Sequence, residues 1–412
     1  MSGDLRTVAR ALRDAPAARV REAVAMIDAL AERGAADALI VPLRGRLRQL
    51  GIPRRLGFVR LLFLPLDSVI RDPAFWRAEQ AGVPRSALAP LGAAVQAALS
   101  EQAGAIRAAI AAGMPGADLV DRFGPPLWTA GAEVLRALPA AAPPPGWDRT
   151  GLPTACLAPI ATACACVLGA ETALRAAIDG PDGPAVMARV LAATAAAGPD
   201  CLALLSAVLL GRCAAPAGLL ALLARAAATA GPAAHAAVDR ALTAVFERLE
   251  REAGAGLSAT AADQAAGLLA AVANGTSPRQ QALAQATQLR LDAACRARLE
   301  TELAAQVLAP LRELTGEAAP AAVVALEHEA RTLAGYAAAA RQLGNADRYD
   351  RLLRDAAAAV RAPAGAPALT PIDRVRMVEI LAGPEAALAL LEGREPGAAI
   401  APPPRASARN PG

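Results

Sequence analysis

The sequence predicts an all-α protein, in which a more aromatic N-terminal helical domain precedes an α-solenoid-like array of antiparallel helical hairpins. Hydrophobic residues make up 55% of the chain and aromatic residues only 2%, so the apolar content is mostly alanine and leucine. Alanine is the strongest helix former because it loses no side-chain entropy in a helix. Apolar residues recur at helical spacing, and glycine or proline separates these stretches. Helices joined by short breaks form antiparallel hairpins, and a chain of hairpins tends to stack.

The N-terminal region begins with a helix that starts at Pro16, a residue suited to the first helical turn, and stops near Gly34. Its apolar residues recur at helical spacing at Val20, Val24, Ile27 and Leu30. The elements expected after it are a helix over 35–50, a less regular stretch over 51–84, an alanine-rich helical stretch over 85–112 and a helix over about 127–138.

A proline-rich segment over 139–153 predicts a linker between two regions. It contains Pro143, Pro144 and Pro145 in succession, and consecutive prolines cannot continue a helix. All three tryptophans and four of the five phenylalanines lie at or before Trp147. The expected organisation is an N-terminal helical domain over 1–138, the linker, an alanine- and leucine-rich helical hairpin array over 154–392, and a disordered tail over 393–412.

The array is predicted from stretches of helical spacing that alternate with breaks. The segment over 333–356 is faintly similar in spacing to a tetratricopeptide unit, with Gly344 at the turn between its helices, but Ala340 and Tyr349 depart from that pattern. We expect a single helical hairpin there. The other helices expected in the array cover 155–178, 185–197, 201–210, 217–230, 235–252, 258–273, 278–291, about 299–314, 373–381 and 385–391.

Composition and charge exclude several classes of protein without naming a function. All 42 basic residues are arginine, which is typical of the codon bias of a high-GC bacterial genome, and the net charge of +4 names no partner. Six cysteines are too few for a disulfide scaffold in a chain of 412 residues. Charged residues between Asp4 and Asp14 interrupt any apolar stretch, so no signal peptide is predicted. The expected location is cytoplasmic, with peripheral membrane attachment as the alternative.

The strongest local signal is a basic segment over 44–66 that ends in an apolar run. No acidic residue lies between Asp37 and Asp67. Six arginines lie in this interval: Arg44, Arg46, Arg48, Arg54, Arg55 and Arg60. Such a segment is able to meet anionic lipid, nucleic acid or an acidic partner. Nucleic acid is the least expected of these, because only Phe58 and Phe63 are available to stack between the arginines. The alternative is a solvated arginine face beside core residues.

Two apolar windows are long enough to raise the question of a membrane span. Residues 152–170 contain no charge, and residues 201–224 contain only Arg212. A span needs roughly 20 predominantly apolar residues. Because prolines interrupt both windows, buried helical hairpins are the expected explanation, and membrane association is the alternative.

No metal, cofactor or catalytic site is predicted. Three cysteines lie close together in the sequence, at Cys156, Cys164 and Cys166. Residues two apart on a helix point to different sides, so the last two cannot both face one ion, and all three are expected to be small core residues. The zinc-protease helix motif begins at His328 but fails at Thr332, where its second histidine is required. The other histidine is His235.

Residues 123–128 predict an unusual turn into the helix that follows. The candidate residues for a groove or pocket at this turn are Phe123, Pro125, Pro126 and Trp128. The alternative is that they anchor the core.

The function expected from this architecture is a non-enzymatic helical-repeat scaffold or adaptor that holds a protein partner. The first alternative is a peripheral membrane protein that uses the basic segment over 44–66. The second is a helical enzyme that works in a pocket between helices. Fold class does not by itself fix function.

Overall fold

The computed structural model describes residues 8, 11–12, 15, 17–29, 47, 56–138, 142–178, 183–213, 216–255, 259–275, 277–314, 320–362 and 369–394. In these residues the protein is all-α, which confirms the predicted fold class; the solenoid arrangement stays a prediction. The α-helices are α1 Ala17–Ala29, α2 Phe58–Leu62, α3 Arg85–Ala98, α4 Ser100–Ala111, α5 Gly116–Arg136, α6 Leu157–Ile178, α7 Gly183–Ala197, α8 Pro199–Leu210, α9 Pro216–Ala230, α10 Pro232–Ala255, α11 Ala259–Ala273, α12 Pro278–Glu302, α13 Ala309–Glu313, α14 Pro320–Ala340, α15 Ala346–Arg361, α16 Pro371–Ala382 and α17 Pro384–Leu391.

The strand content of the described residues is a single short parallel pairing. Strand β1 (Ile70–Arg71) pairs with β2 (Val83–Pro84), with Ile70 opposite Val83. This pairing lies in the stretch over 51–84 that the sequence predicts to be less regular. Short 3₁₀ turns at Leu64–Val69 and Pro73–Phe75 make up much of the rest of it.

Helix α1 confirms the first sequence prediction. Val20, Val24 and Ile27 are buried together with Leu47, as their helical spacing requires. The helix predicted over 35–50 lies outside the described residues, apart from Leu47.

The start predicted for the helix over 127–138 is wrong. Helix α5 begins at Gly116 and runs through Pro125 and Pro126, so the expected turn at 123–128 is helical. Proline lacks an N–H and normally breaks a helix. Burial of one face outweighs this cost because tertiary packing supplies most of the stability of a helix in a protein. The buried face of α5 carries Leu119, Leu127, Trp128, Ala132 and Leu135.

The two helices predicted over 278–291 and 299–314 form one continuous run. Helix α12 passes into a π-helical segment, Leu303–Leu308, and then into α13. No glycine or proline interrupts 292–302. The run buries a residue at every fourth position: Leu291, Cys295, Leu299, Leu303, Val307 and Leu311. A four-residue step exceeds the 3.6 residues of an α-helical turn, and the wider π turn brings this row back to one face.

The chain divides into two compact units. Unit one comprises Met1–Arg251 and Gly267–Ala284, and unit two comprises Glu252–Ala266 and Gln285–Gly412. In unit one, α5 packs along α6, and α6 also packs against α7 and α8. Residues 142–156 connect α5 to α6 through short 3₁₀ turns. The proline-rich linker predicted at 139–153 stays a prediction.

In unit two the C-terminal helices pack on one another in sequence. Helix α14 contacts α15 and α16, α15 contacts α16, and α16 contacts α17. The hairpin predicted over 333–356 is confirmed as α14 and α15, with Gly344 in the turn between them. A Cβ atom on Gly344 would overlap the carboxyl group of Asp292, so this turn requires glycine. The Tyr349 hydroxyl donates to the Oδ1 atom of the same aspartate at 3.0 Å.

Candidate functional site

The basic segment falls mostly outside the described residues. Arg44, Arg46, Arg48, Arg54 and Arg55 lie there, whereas Arg60 is exposed on α2. The apolar residues around Arg60 are buried in unit one: Phe58, Leu61, Leu62, Phe63 and Leu66. The apolar part of the segment therefore belongs to the core.

The four groove candidates have different environments on α5. Trp128 is 0% exposed, and its indole Nε1 donates a hydrogen bond to the Leu61 carbonyl at 3.0 Å. Phe123 and Pro125 are half-buried, and Pro126 is exposed. Trp128 is therefore part of the core, and a groove at the other three positions stays a prediction.

Helix α6 and the turn before it are the one long apolar helical stretch in the described residues that passes the length and composition test for a membrane span. The window within Thr154–Arg175 is long and apolar enough to cross a membrane, but 61% of it is buried against the rest of the protein. The core helix of a globular protein passes the same test. The buried helical hairpin and the membrane association given for residues 152–170 therefore both stay predictions.

A cavity of about 300 Å³ opens in unit one between α6, α8, α10 and the loop before β2. That volume is at the lower end of small-molecule sites. Its wall is mostly apolar, and its polar groups are those of Trp76, Gln80, Cys156, Asp200 and Arg240.

The polar groups of the cavity are held by specific contacts. Arg240 Nη1 lies 2.9 Å from Asp200 Oδ1, which places an ion pair between α10 and α8 at the rim. Trp76 Nε1 donates to the Gly82 carbonyl at 3.0 Å, so its ring is fixed against the loop. The cavity can therefore hold a small, mostly apolar group beside one charged pair.

A thiol pair lies between α6 and α8, close to the cavity. The Sγ atoms of Cys166 and Cys201 are 2.7 Å apart. Cys166 is three residues beyond Ala163, which lines the cavity, and Cys201 follows Asp200, which also lines it. Three residues are close to one helical turn, so the pair lies about one turn from the cavity wall.

The two thiols have opposite pKa shifts. The hydrogen bond with Cys201, aided by the positive charge of Arg136, lowers the pKa of Cys166 to about 7. The same hydrogen bond, together with burial, raises the pKa of Cys201. Cys166 is the more exposed of the two, and Cys201 is 3% exposed. The thiol of Cys201 therefore stabilises a thiolate on Cys166. Because the thiolate is the reactive form of cysteine, Cys166 is the reactive member of the pair.

Unit two holds a buried cysteine, Cys295, whose pKa shift is opposite in direction to that of Cys166. Burial raises the pKa of Cys295, which lies beside the hydroxyl of Tyr336. That hydroxyl donates to the Ala253 carbonyl at 3.1 Å. These groups connect helices in the core, and the Cys295 thiol is held in its unreactive, protonated form.

Helices α16 and α17 of unit two expose large apolar side chains. Ile372 on α16 is 67% exposed, and Leu388 and Leu391 on α17 are 51% and 68% exposed. Helices α16 and α17 pack on each other and are joined by Gly383 alone. These three residues form what we call the terminal apolar surface.

The histidines and the described acidic residues form no other obvious centre. His235 and His328 are both exposed. Among the described residues, no group of three or more histidine, cysteine, aspartate or glutamate side chains is placed to hold a metal ion.

No family model, curated protein or solved structure matches the chain.

Sequence reasoning missed the cavity, the thiol pair and the terminal apolar surface. Cys166 and Cys201 are 35 residues apart in sequence and lie on two different helices. No periodicity in a single helix indicates which neighbour it will meet. The sequence did contain a signal for the terminal apolar surface. Leu388 and Leu391 are three residues apart at the end of the last predicted helix, a spacing that places both side chains on one helical face.

Proposed function

We propose that the protein is a scaffold that binds an amphipathic helix of a partner protein on the terminal apolar surface. The observation that carries the proposal is the exposure of Leu388 and Leu391 on α17. An array of packed helices covers the apolar face of each helix with the next one, so its last helix needs a polar outer face. Helix α17 is the last helix among the described residues, and it exposes two leucines.

The position of Ile372 adds to this surface. The Arg361 guanidinium, at the end of α15, donates to the Arg394 carbonyl just after α17 at 3.1 Å. This contact ties the end of α15 to the end of α17. Ile372 is exposed on α16, which packs on both of these helices, and exposed apolar residues that lie together mark interaction sites more often than isolated ones.

The surface fits another helix better than an extended strand or a lipid. Helices pack by interlocking side chains at i, i+3 and i+4, and Leu388 and Leu391 have this spacing. The described residues in unit two offer no sheet edge with which a strand would pair. The membrane alternative has no comparable support, because the apolar residues over 58–66 described above are buried.

Site-specific photo-cross-linking in the native cell tests the proposal. A photoreactive phenylalanine analogue replaces Leu388 in the full chain, and in a matched control it replaces Val324, which is 63% exposed on α14. We expect the first variant to cross-link one defined partner through a helical segment, and the control to give no such product. Equal products from both positions, a second copy of this chain as the only product, or no product at all would overturn the proposal.

A further inference from the structure

We propose that Cys166 and Cys201 form a reversible dithiol–disulfide site that a hydroperoxide oxidises through a sulfenic acid on Cys166. This site lies in unit one and is independent of the terminal apolar surface. It adds a chemical activity to a protein for which the proposed function requires none.

The distance between the sulfur atoms carries the proposal. A disulfide has an S–S distance of about 2.03–2.05 Å, and the two Sγ atoms are 2.7 Å apart across the packed helices α6 and α8. Joining them therefore needs a movement of less than about 1 Å. Two cysteines whose Cα atoms are more than about 7 Å apart cannot be bridged without moving the backbone.

The surroundings of the pair separate the roles of the two thiols. Arg136 of α5 donates to the Ala165 carbonyl at 3.4 Å, next to Cys166, and so places a positive charge beside it. Asp200 of α8 is the acidic group beside Cys201 and disfavours a thiolate there. Cys164 is fully buried, and burial raises its pKa to about 12, so it stays protonated. These charges favour the thiolate on Cys166.

The oxidation balances in two steps. The Cys166 thiolate attacks the terminal oxygen of the hydroperoxide and the O–O bond breaks. The leaving group is an alkoxide, or hydroxide when the oxidant is hydrogen peroxide, and it takes up a proton from water to become an alcohol or water. The sulfur loses two electrons and carries the OH group as a sulfenic acid. The Cys201 sulfur then attacks the sulfenic sulfur, an S–S bond forms, the S–O bond breaks, and hydroxide leaves with the Cys201 proton as water. A small dithiol reverses the reaction by thiol–disulfide exchange.

The test titrates free thiols in the full-length protein before and after treatment with hydrogen peroxide, and maps the non-reduced peptides. We expect two of the six thiols to disappear and to reappear with a dithiol, with one cross-linked peptide pair that joins Cys166 to Cys201. Cys201→Ser removes the resolving thiol, so a sulfenic acid on Cys166 should accumulate and react with dimedone. Cys213→Ser is the control, since Cys213 is also a half-buried free thiol and should leave the reaction unchanged.

Three results would overturn the proposal. The first is a protein that keeps all six thiols at peroxide concentrations that oxidise a small dithiol. The second is a cross-link that joins any other pair of cysteines. The third is a Cys166→Ser variant, folded by circular dichroism, that forms the sulfenic acid or loses thiols as the wild type does.

Discussion

Replacing Trp128 tests whether burial of this side chain stabilises helix α5, which contains Pro125 and Pro126. Trp128 is 0% exposed and donates its indole N–H to the Leu61 carbonyl of α2. Truncating a fully buried tryptophan to alanine costs about 3–5 kcal/mol of unfolding free energy. Trp128→Phe keeps most of the ring but loses the hydrogen bond, which contributes about 0.5–1.5 kcal/mol, so its cost should be smaller.

Gly124 makes the prediction sharper because the tryptophan ring lies against it. A Cβ atom at this glycine would lie 2.7 Å from Trp128 Cη2, which is too close for a carbon–carbon contact. Gly124→Ala should therefore destabilise the wild type. In the Trp128→Ala background the same change should stabilise, because the ring is gone and alanine favours helix by about 1 kcal/mol over glycine.

Denaturant titration followed by far-ultraviolet circular dichroism measures these differences. The control is Phe75→Ala, because Phe75 is an aromatic residue that is 67% exposed, and its loss should stay within about 0.5 kcal/mol. A cost for Trp128→Ala no larger than that of the control would refute the anchoring role. So would a Gly124→Ala effect of the same sign in both backgrounds.

Two further predictions address unit two and the thiol pair. Gly344→Ala should destabilise the protein by roughly 1–3 kcal/mol because the new Cβ meets the Asp292 carboxyl group. Gly335→Ala, where the space around the glycine on α14 is open, should stabilise the protein by up to about 1 kcal/mol. Thermal denaturation of both variants measures these differences. The rate of Cys166 alkylation by iodoacetamide should rise with pH to a midpoint near 7, because only the thiolate reacts and its pKa is lowered to about 7. A midpoint at the ordinary cysteine value of about 8.5, measured by peptide mass spectrometry, would contradict the assigned thiolate.

Much of the fold could be predicted because helices follow local rules. The predicted stretch over 185–197 corresponds to Gly183–Ala197, and the one over 385–391 corresponds to Pro384–Leu391. Proline and glycine set these boundaries through the backbone of a few neighbouring residues. The failure at α5 arose where burial of a long apolar row overrode the signal of Pro125 and Pro126. At α12 the sequence contains no proline or glycine between the two predicted helices, and the buried row continues through 292–302.

The candidate sites could be predicted only in part because they depend on which helices meet. The basic segment was visible in the sequence, but its apolar half proved to be core at Leu61 and Leu62. Cys166 was visible only as one of three clustered cysteines, and its partner Cys201 comes from another helix. Tertiary contacts of this kind leave no periodic trace in either helix.

The most direct test of the scaffold function is an equilibrium titration with the cross-linked partner. The Leu388→Asp/Leu391→Asp double variant is compared with Val324→Asp, each as the purified full chain with its helicity verified. Fully burying a leucine is worth about 1.5–3 kcal/mol, and each 1.4 kcal/mol is a factor of ten in affinity. We predict at least a ten-fold weaker Kd for the double variant and an unchanged Kd for Val324→Asp. Equal affinities for the two variants would contradict binding at the terminal apolar surface.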